Sequence, residues 1–398
     1  MINSELKKVV SMNTFDLDKT YVASTYRRFP VEIVSGKGSL VTDVDGKEYI
    51  DMGSGIAVTS FGVADDAWIA AVEKQIHSVQ HMSNLYYTAP CAKLAEALCK
   101  RTGMAKVFFS NSGAEANECA IKIARKWAAE HKGPACSTVV TLVNSFHGRT
   151  LTTLAATGQD HFHELFQPLT PGFASFPAGD MEALKQLCAG GTVAAVLIEL
   201  VQGEGGVIPL DPAFVSELAA YLKEQDILLM IDEVQTGNGR TGSLYAYMQY
   251  GLQPDVVSTA KGLAGGLPMG ATLMSEKVKD VFSYGDHGST FGGNPVAAAA
   301  ALSVVERLTD GLLADVNRKS ELIRSLLEGA PGIESVTGLG LMLGIKTVKP
   351  ASEVLAACRE NGVLCLTAKD KVRLLPALNI PDELLIRAID VIKAACSI

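Results

Sequence analysis

The chain has 398 residues, 48% of them apolar and 20% charged, with a formal net charge of -8. That length exceeds what one hydrophobic core ordinarily supports, so two domains are expected. The composition excludes a disordered chain, and the acidic balance excludes a nucleic-acid surface. The opening stretch MINSELKKVVSMNTFDLDKTY mixes charge with apolarity and holds no continuous hydrophobic segment. No signal peptide is expected, and no run reaches membrane-spanning length, so a cytoplasmic protein is anticipated. Eight cysteines, at 91, 99, 119, 136, 188, 358, 365 and 396, form no C-x-x-C pair and read as reduced, mostly buried thiols.

In chain order, residues 31–50 predict two strands joined by turns, the second turn being Asp45-Gly46. KVFFS predicts a strand running into a helix, NSGAEANECAIKIARKWAAEH, whose apolar positions recur at helical spacing. STVVTLV and VAAVLIEL read as further strands. DPAFVSELAAYLKEQD reads as a helix with Asp211 as its cap and Pro212 in its first turn. ILLMID and DVVSTA follow as buried strands. Their continuous rather than alternating hydrophobicity predicts a parallel sheet covered on both faces. Past about residue 300 come an alanine-rich helix, the strand candidates LGLMLGIKTV and VLCLTAKDKVRLLPAL, and a closing helix. The expected architecture is α/β: a large domain with a mainly parallel sheet between helices, residues 65–300. A small α+β domain would be built from both termini, residues 1–64 and 301–398.

Ligands of an open α/β sheet bind at the carboxyl ends of its strands, and four unusual sequences fall there. Ser112-Gly113-Ala114 opens a helix, where backbone N–H groups and a glycine suit an anion; alone, such a motif is more often a plain N-cap. Asp232 closes the strand ILLMID, where a carboxylate must be paired, either within the protein or with a protonated ring nitrogen of a ligand. Lys261 stands among small residues and glycines that would desolvate its amine and favour attack on a carbonyl, although a strand-end lysine is often only an ion-pair partner. In NSFHGRT, Phe146 could cover a flat ring and Arg149 could hold a carboxylate. Together these are the parts that would hold pyridoxal phosphate. Gly237 to Gly242 formally match G-x-G-x-x-G, but the glycines begin well after the strand and no helix starts on them, so a dinucleotide site is not expected. His161 and His163 have no Cys or carboxylate cluster nearby, and no metal is expected.

The motifs DEVQTGNGRTG, STAKGLAGGLPMGA, SNSGAEANECAIKIAR, FHGRT and GSTFGGNP resemble those of the class III pyridoxal-phosphate aminotransferases in order and spacing, from about Tyr26 to Pro376. The resemblance implies fold type I and a homodimer with shared active sites. It implies that Lys261 carries the cofactor as a Schiff base and then acts as general base, and that Asp232 pairs with the pyridinium nitrogen. Gln235 would bond the phenolic oxygen, with Glu233 and Val234 beside it in the cofactor site. Ser112, Gly113 and Ala114 would cradle the phosphate and Phe146 would stack on the ring. Thr290 would reach the phosphate of the neighbouring subunit, with Ser289 near the substrate.

TYRRFP, GIAV, NLYYTAP and RLLPAL are most similar to the members that act on N-acetylornithine with 2-oxoglutarate, in arginine biosynthesis. By that resemblance Arg149 binds the α-carboxylate of N-acetylornithine, Arg373 that of glutamate, and Glu204 covers Arg373 when the amine end of the donor occupies the site. Relatives acting on succinylornithine, succinyl-diaminopimelate, ornithine or 4-aminobutyrate share the cofactor residues; a nicotinamide dehydrogenase and a non-enzymatic cofactor binder are the remaining alternatives. Three positions depart from the family pattern: Leu200 replaces a proline, FGVADD lacks two histidines and a proline around Val63 to Asp66, and Ala377 replaces a second proline.

Overall fold

A computed structural model describes residues 12–397. The first eleven residues, part of the stretch read above for a leader, and Ile398 lie outside the described residues. The N-terminal strands β1 (Ile33–Lys37), β2 (Leu40–Asp43) and β3 (Glu48–Asp51) form an antiparallel meander. Three strands stand where two were expected. Gly38, at φ 60, lets the chain reverse in two residues between Lys37 and Leu40. The Asp45-Gly46 turn falls where the sequence placed it.

The central sheet contains β4 (Lys106–Ser110), β5 (Thr138–Leu142), β6 (Phe173–Phe176) and β7 (Val193–Ile198). After the short hairpin of β8 (Val201–Gln202) and β9 (Ile208–Pro209) it continues with β10 (Leu228–Asp232), β11 (Val256–Thr259) and β12 (Gly270–Met274). Their order across the sheet is β4-β12-β11-β10-β7-β5-β6. All run in one direction except β12, which is antiparallel to both of its neighbours. Every residue of β7, β10 and β11 is buried, as their unbroken hydrophobicity requires. On one face Ile121, Ile123 and Trp127 of the helix Gly113–Lys132 join a core with Val139, Leu197 and Met230. On the other, Phe214, Leu218 and Leu222 of the helix Pro212–Glu224 join Val196, Leu229 and Ile231. Ser112 and Asp211 cap these helices through their side-chain oxygens, each worth about 1 kcal/mol.

The C-terminal part adds β13 (Ile333–Leu339), β14 (Met342–Thr347), β15 (Val363–Leu364), β16 (Leu366–Ala368) and β17 (Lys371–Leu374). LGLMLGIKTV is not one strand but spans a hairpin turned at Gly340, φ 53. VLCLTAKDKVRLLPAL divides into three short strands, with Lys369 at φ 52 in the turn before β17. β15 pairs parallel to β3, which joins chain ends more than 300 residues apart, while β13-β14-β17-β16 forms its own antiparallel sheet. The loops leaving β4, β5, β7, β10 and β11, and the segment entering β12, gather along one edge of the central sheet.

Candidate active site

Along that edge lies a cavity of about 450 Å³. Ser112, Gly113, Ala114, Phe146, Arg149, Glu204, Asp232, Val234, Gln235 and Lys261 all line it. They arrive from five different strand ends.

Asp232, 4% exposed, ends β10. A carboxylate so enclosed needs donors, and it has three. The Val234 N–H donates to Oδ1 at 2.9 Å. Asn117 Nδ2 and His147 Nδ1 lie 2.7 and 2.8 Å from Oδ2. Asn117 is itself fixed: it also donates to the His147 carbonyl oxygen at 2.8 Å and accepts from the Ser258 hydroxyl at 2.5 Å. No guanidinium or ammonium is among these donors. His147 Nε2 is buried without a protein partner.

Lys261 follows β11 with φ 45, a left-handed conformation that costs a non-glycine residue about 1–2 kcal/mol. The surrounding packing imposes it. Asn238 Nδ2 donates to the Ala260 carbonyl oxygen at 3.1 Å and to Thr259 Oγ1 at 3.0 Å, and the Ser60 hydroxyl donates to the Gly262 carbonyl oxygen. Strain held by its surroundings in this way marks functional positions. Burial holds the Lys261 amine below the usual lysine range; Glu204 and Asp232 oppose that shift, and Arg373 adds to it. The two carboxylates are engaged elsewhere, Glu204 with Arg373 and Asp232 with His147.

The helix Gly113–Lys132 points its N-terminus into the cavity, so its free N–H groups and the positive end of its dipole face the interior. Gly113 packs so closely that a Cβ there would sit 2.6 Å from Val234 Cγ1. Phe146 and Phe162 meet edge to face, with ring centroids 5.8 Å apart, and the Arg149 guanidinium lies over both rings.

Arg373, 3% exposed, stands on β17 and does not itself line the cavity, but meets two residues that do. Its Nη1 donates to Glu204 Oε1 at 2.6 Å and to Gln235 Oε1 at 3.3 Å, while its Nε has no partner. Burial alone would raise the Glu204 carboxyl, but the Arg373 guanidinium and then Lys261 outweigh it and hold Glu204 below the usual range.

Other expected residues stand apart. Glu233, expected at the cofactor, does not line the cavity. Glu233, the first residue past β10, turns into the core, accepting from the Tyr247 N–H at 2.8 Å and the Thr236 hydroxyl at 2.5 Å. Ser289 accepts from the Gly292 N–H and from Asn111, whose side chain lines the cavity; Thr290 is exposed beside it. In the Gly237–Gly242 segment Arg240 is fully enclosed and donates to the carbonyl oxygens of Leu341 and Pro376, a structural use of the glycine-rich stretch. Among the described residues no group of His, Cys, Asp and Glu could hold a metal ion. None of the departures at Val63 to Asp66, Leu200 and Ala377 lines the cavity.

Sequence reasoning missed Asn117, His147 and Glu199. Glu199 directly follows the apolar strand VAAVLI as Asp232 closes ILLMID, a signal that was there to use. His147 sits between two residues that were singled out. Asn117 showed only as a polar position on the buried face of a helix.

The Aminotransferase class-III family model matches residues 21–396. The chain belongs to the class-III aminotransferases. It is therefore a pyridoxal-phosphate-dependent transaminase. Acetylornithine aminotransferase of Haemophilus ducreyi is 49% identical over 383 residues, 96% of this chain and 98% of that one. The structure of N-acetylornithine aminotransferase from Stenotrophomonas maltophilia superposes with a TM-score of 0.82 at 36% identity, covering 95% of this class-III chain and 97% of the other. An ornithine aminotransferase from Toxoplasma gondii, with PLP at partial occupancy in its active site, superposes with a TM-score of 0.91 at 33% identity, covering 96% and 93%. Among the described residues, no helix of this aminotransferase is long and apolar enough to cross a membrane.

Proposed function

We propose that the chain moves the δ-amino group of N-acetylornithine to 2-oxoglutarate, giving N-acetylglutamate 5-semialdehyde and glutamate, in the arginine biosynthesis of the cytoplasm. The observation that carries this reading is the buried Arg373–Glu204 pair beside Lys261, whose amine burial holds below the usual lysine range. An unpaired guanidinium there would be costly, so Glu204 suits the cationic, carboxylate-free end of one substrate and withdraws for the carboxylate of the other.

The cavity fits pyridoxal phosphate by the chemistry of its donors: a helix N-terminus for an anion, a buried carboxylate with no Lys or Arg ion-pair partner among the described residues, and a partly buried amine. When bound, the cofactor supplies an aldehyde that condenses with amines and a ring that accepts electrons from a broken C–H bond. Lys261 would hold the cofactor through its amine, and that amine would serve as the base that takes a proton from the substrate carbon. Asp232, fixed by Asn117, His147 and Val234, would pair with the ring nitrogen and favour its protonated form. Gly113 and Ala114 offer N–H groups to the phosphate and Ser112 caps their helix. Phe146 would cover the ring face, with Val234 lining the same cavity. Gln235, whose Oε1 faces Arg373, has its amide nitrogen to give to the phenolic oxygen. Arg149 takes the α-carboxylate of N-acetylornithine and Arg373 that of glutamate.

The same reading makes the enzyme a homodimer in which Thr290 reaches the neighbouring subunit's phosphate and Ser289 stands near the substrate. It divides the chain into a cofactor domain, residues 65–300, and a small domain of residues 1–64 and 301–398. The test is kcat/KM with 2-oxoglutarate and matched N-acetylornithine, N-succinylornithine, ornithine and 4-aminobutyrate. Preference for N-acetylornithine is expected; preference for ornithine would overturn the substrate and leave the cofactor residues standing.

A further inference from the structure

We propose that Glu199 is a positioning residue that holds the Phe146 loop and the Glu204 turn in register, and so sets the balance between the two substrates. The inference rests on the substrate reading above. Glu199 follows β7 and is 6% exposed. Its Oε1 accepts the Phe146 N–H at 2.8 Å, and its Oε2 accepts the Gly203 N–H at 3.1 Å. One carboxylate thus ties two segments that leave different strands, β5 and β7.

The tie continues into the substrate groups. Gly203 precedes Glu204, which pairs with Arg373. A Cβ on Gly203 would lie 2.7 Å from Gln235 Nε2, and Gln235 Oε1 faces Arg373 in turn. Gln202 braces the same two segments by donating to the Val143 carbonyl oxygen at 2.9 Å. Among the described residues no Lys or Arg forms an ion pair with Glu199. A buried carboxylate is costly without a cation, so the two N–H groups account for a carboxylate here. Burial pushes the Glu199 carboxyl up to about 7; the nearby His147 opposes that shift and Asp232 adds to it.

The test uses Glu199→Gln, which puts an amide N–H against one of the two backbone donors, and Glu199→Asp, which is one methylene too short to reach both. Each half-reaction is followed by single-turnover absorbance, with N-acetylornithine and with glutamate. Amide hydrogen exchange is measured on the cofactor-free protein. A loosened Glu204 turn should lower the N-acetylornithine half-reaction about tenfold more than the glutamate half-reaction, the effect of roughly one charged hydrogen bond. Exchange should quicken in residues 144–149 and 203–206 while β10 and β11 keep wild-type protection. An equal fall in both half-reactions, or unchanged exchange in the two segments, would overturn the proposal. Should Glu199→Gln fail to fold, Glu199→Asp is decided by the same two measurements. If wild type does not use N-acetylornithine, the substrate reading fails, and exchange alone then decides whether Glu199 holds the two segments.

Discussion

Around Asp232, three hydrogen bonds from one strand end, one covering helix and one loop converge on a single carboxylate; Arg373 crosses from the C-terminal sheet and meets one carboxylate, Glu204, with its Nε unpaired. The first arrangement is over-determined, since losing any one donor leaves two others. The second can exchange partners, because a single ion pair on a short turn is all that must open. An enzyme that keeps one cofactor and alternates two substrates needs both kinds of construction.

The largest expected effect comes from the fixed side. Lys261→Ala should lower turnover at least about 10⁴-fold with little change in melting temperature, since the removed amine was held at a cost. Asp232→Asn keeps the shape but removes the charge, so kcat should fall roughly 10²–10³-fold. It also sets an amide against Asn117 and His147, costing about 1–3 kcal/mol by denaturant titration. If Asp232→Asn turned over at the wild-type rate, the carboxylate would have no part in the chemistry.

On the exchangeable side the effects are smaller and selective. Glu204→Gln should reduce kcat/KM for N-acetylornithine about tenfold relative to glutamate, roughly 1.4 kcal/mol of discrimination. Equal losses for both substrates would show that Glu204 is a static partner of Arg373.

The smallest effect is on stability against pH. Burial, with Asp232 adding to it, pushes the Glu233 carboxyl from 4.5 to about 7 against the opposing hydrogen bonds of Thr236, Tyr247 and Ala246. A raised folded-state pKa means the folded protein holds the proton more tightly, so this contribution is full below about 4.5 and lost as pH rises to about 7. Glu233→Gln should therefore flatten part of the fall in melting temperature between about pH 5 and pH 7. Glu199 shifts in the same direction, so some slope should persist. An unchanged slope would mean Glu233 is ionised in the folded protein.

Much of the fixed side was legible because its chemistry is local. Asp232, Lys261 and Ser112 each stand where an apolar run ends, and strand ends of a parallel sheet share one edge. Asn117 and His147 were not, because they meet Asp232 across 115 and 85 residues of chain, and only the folded sheet brings them together. Glu233, expected at the cofactor through the family resemblance, does not line the cavity but bonds Thr236 and the Tyr247 N–H in the core. The reversal of β12 had no local signal, since GATLM is as apolar as its parallel neighbours; its direction follows from the tight loop Lys261–Met269 that precedes it. The Arg373–Glu204 pair, 169 residues apart, was anticipated through family motifs rather than through local pattern.

The most direct test of the central claim is where the cofactor attaches. Holoenzyme prepared with pyridoxal phosphate would be reduced with borohydride, digested and mapped by mass spectrometry. The account predicts a single phosphopyridoxyl group on Lys261. Attachment to any other lysine, or none, would contradict it.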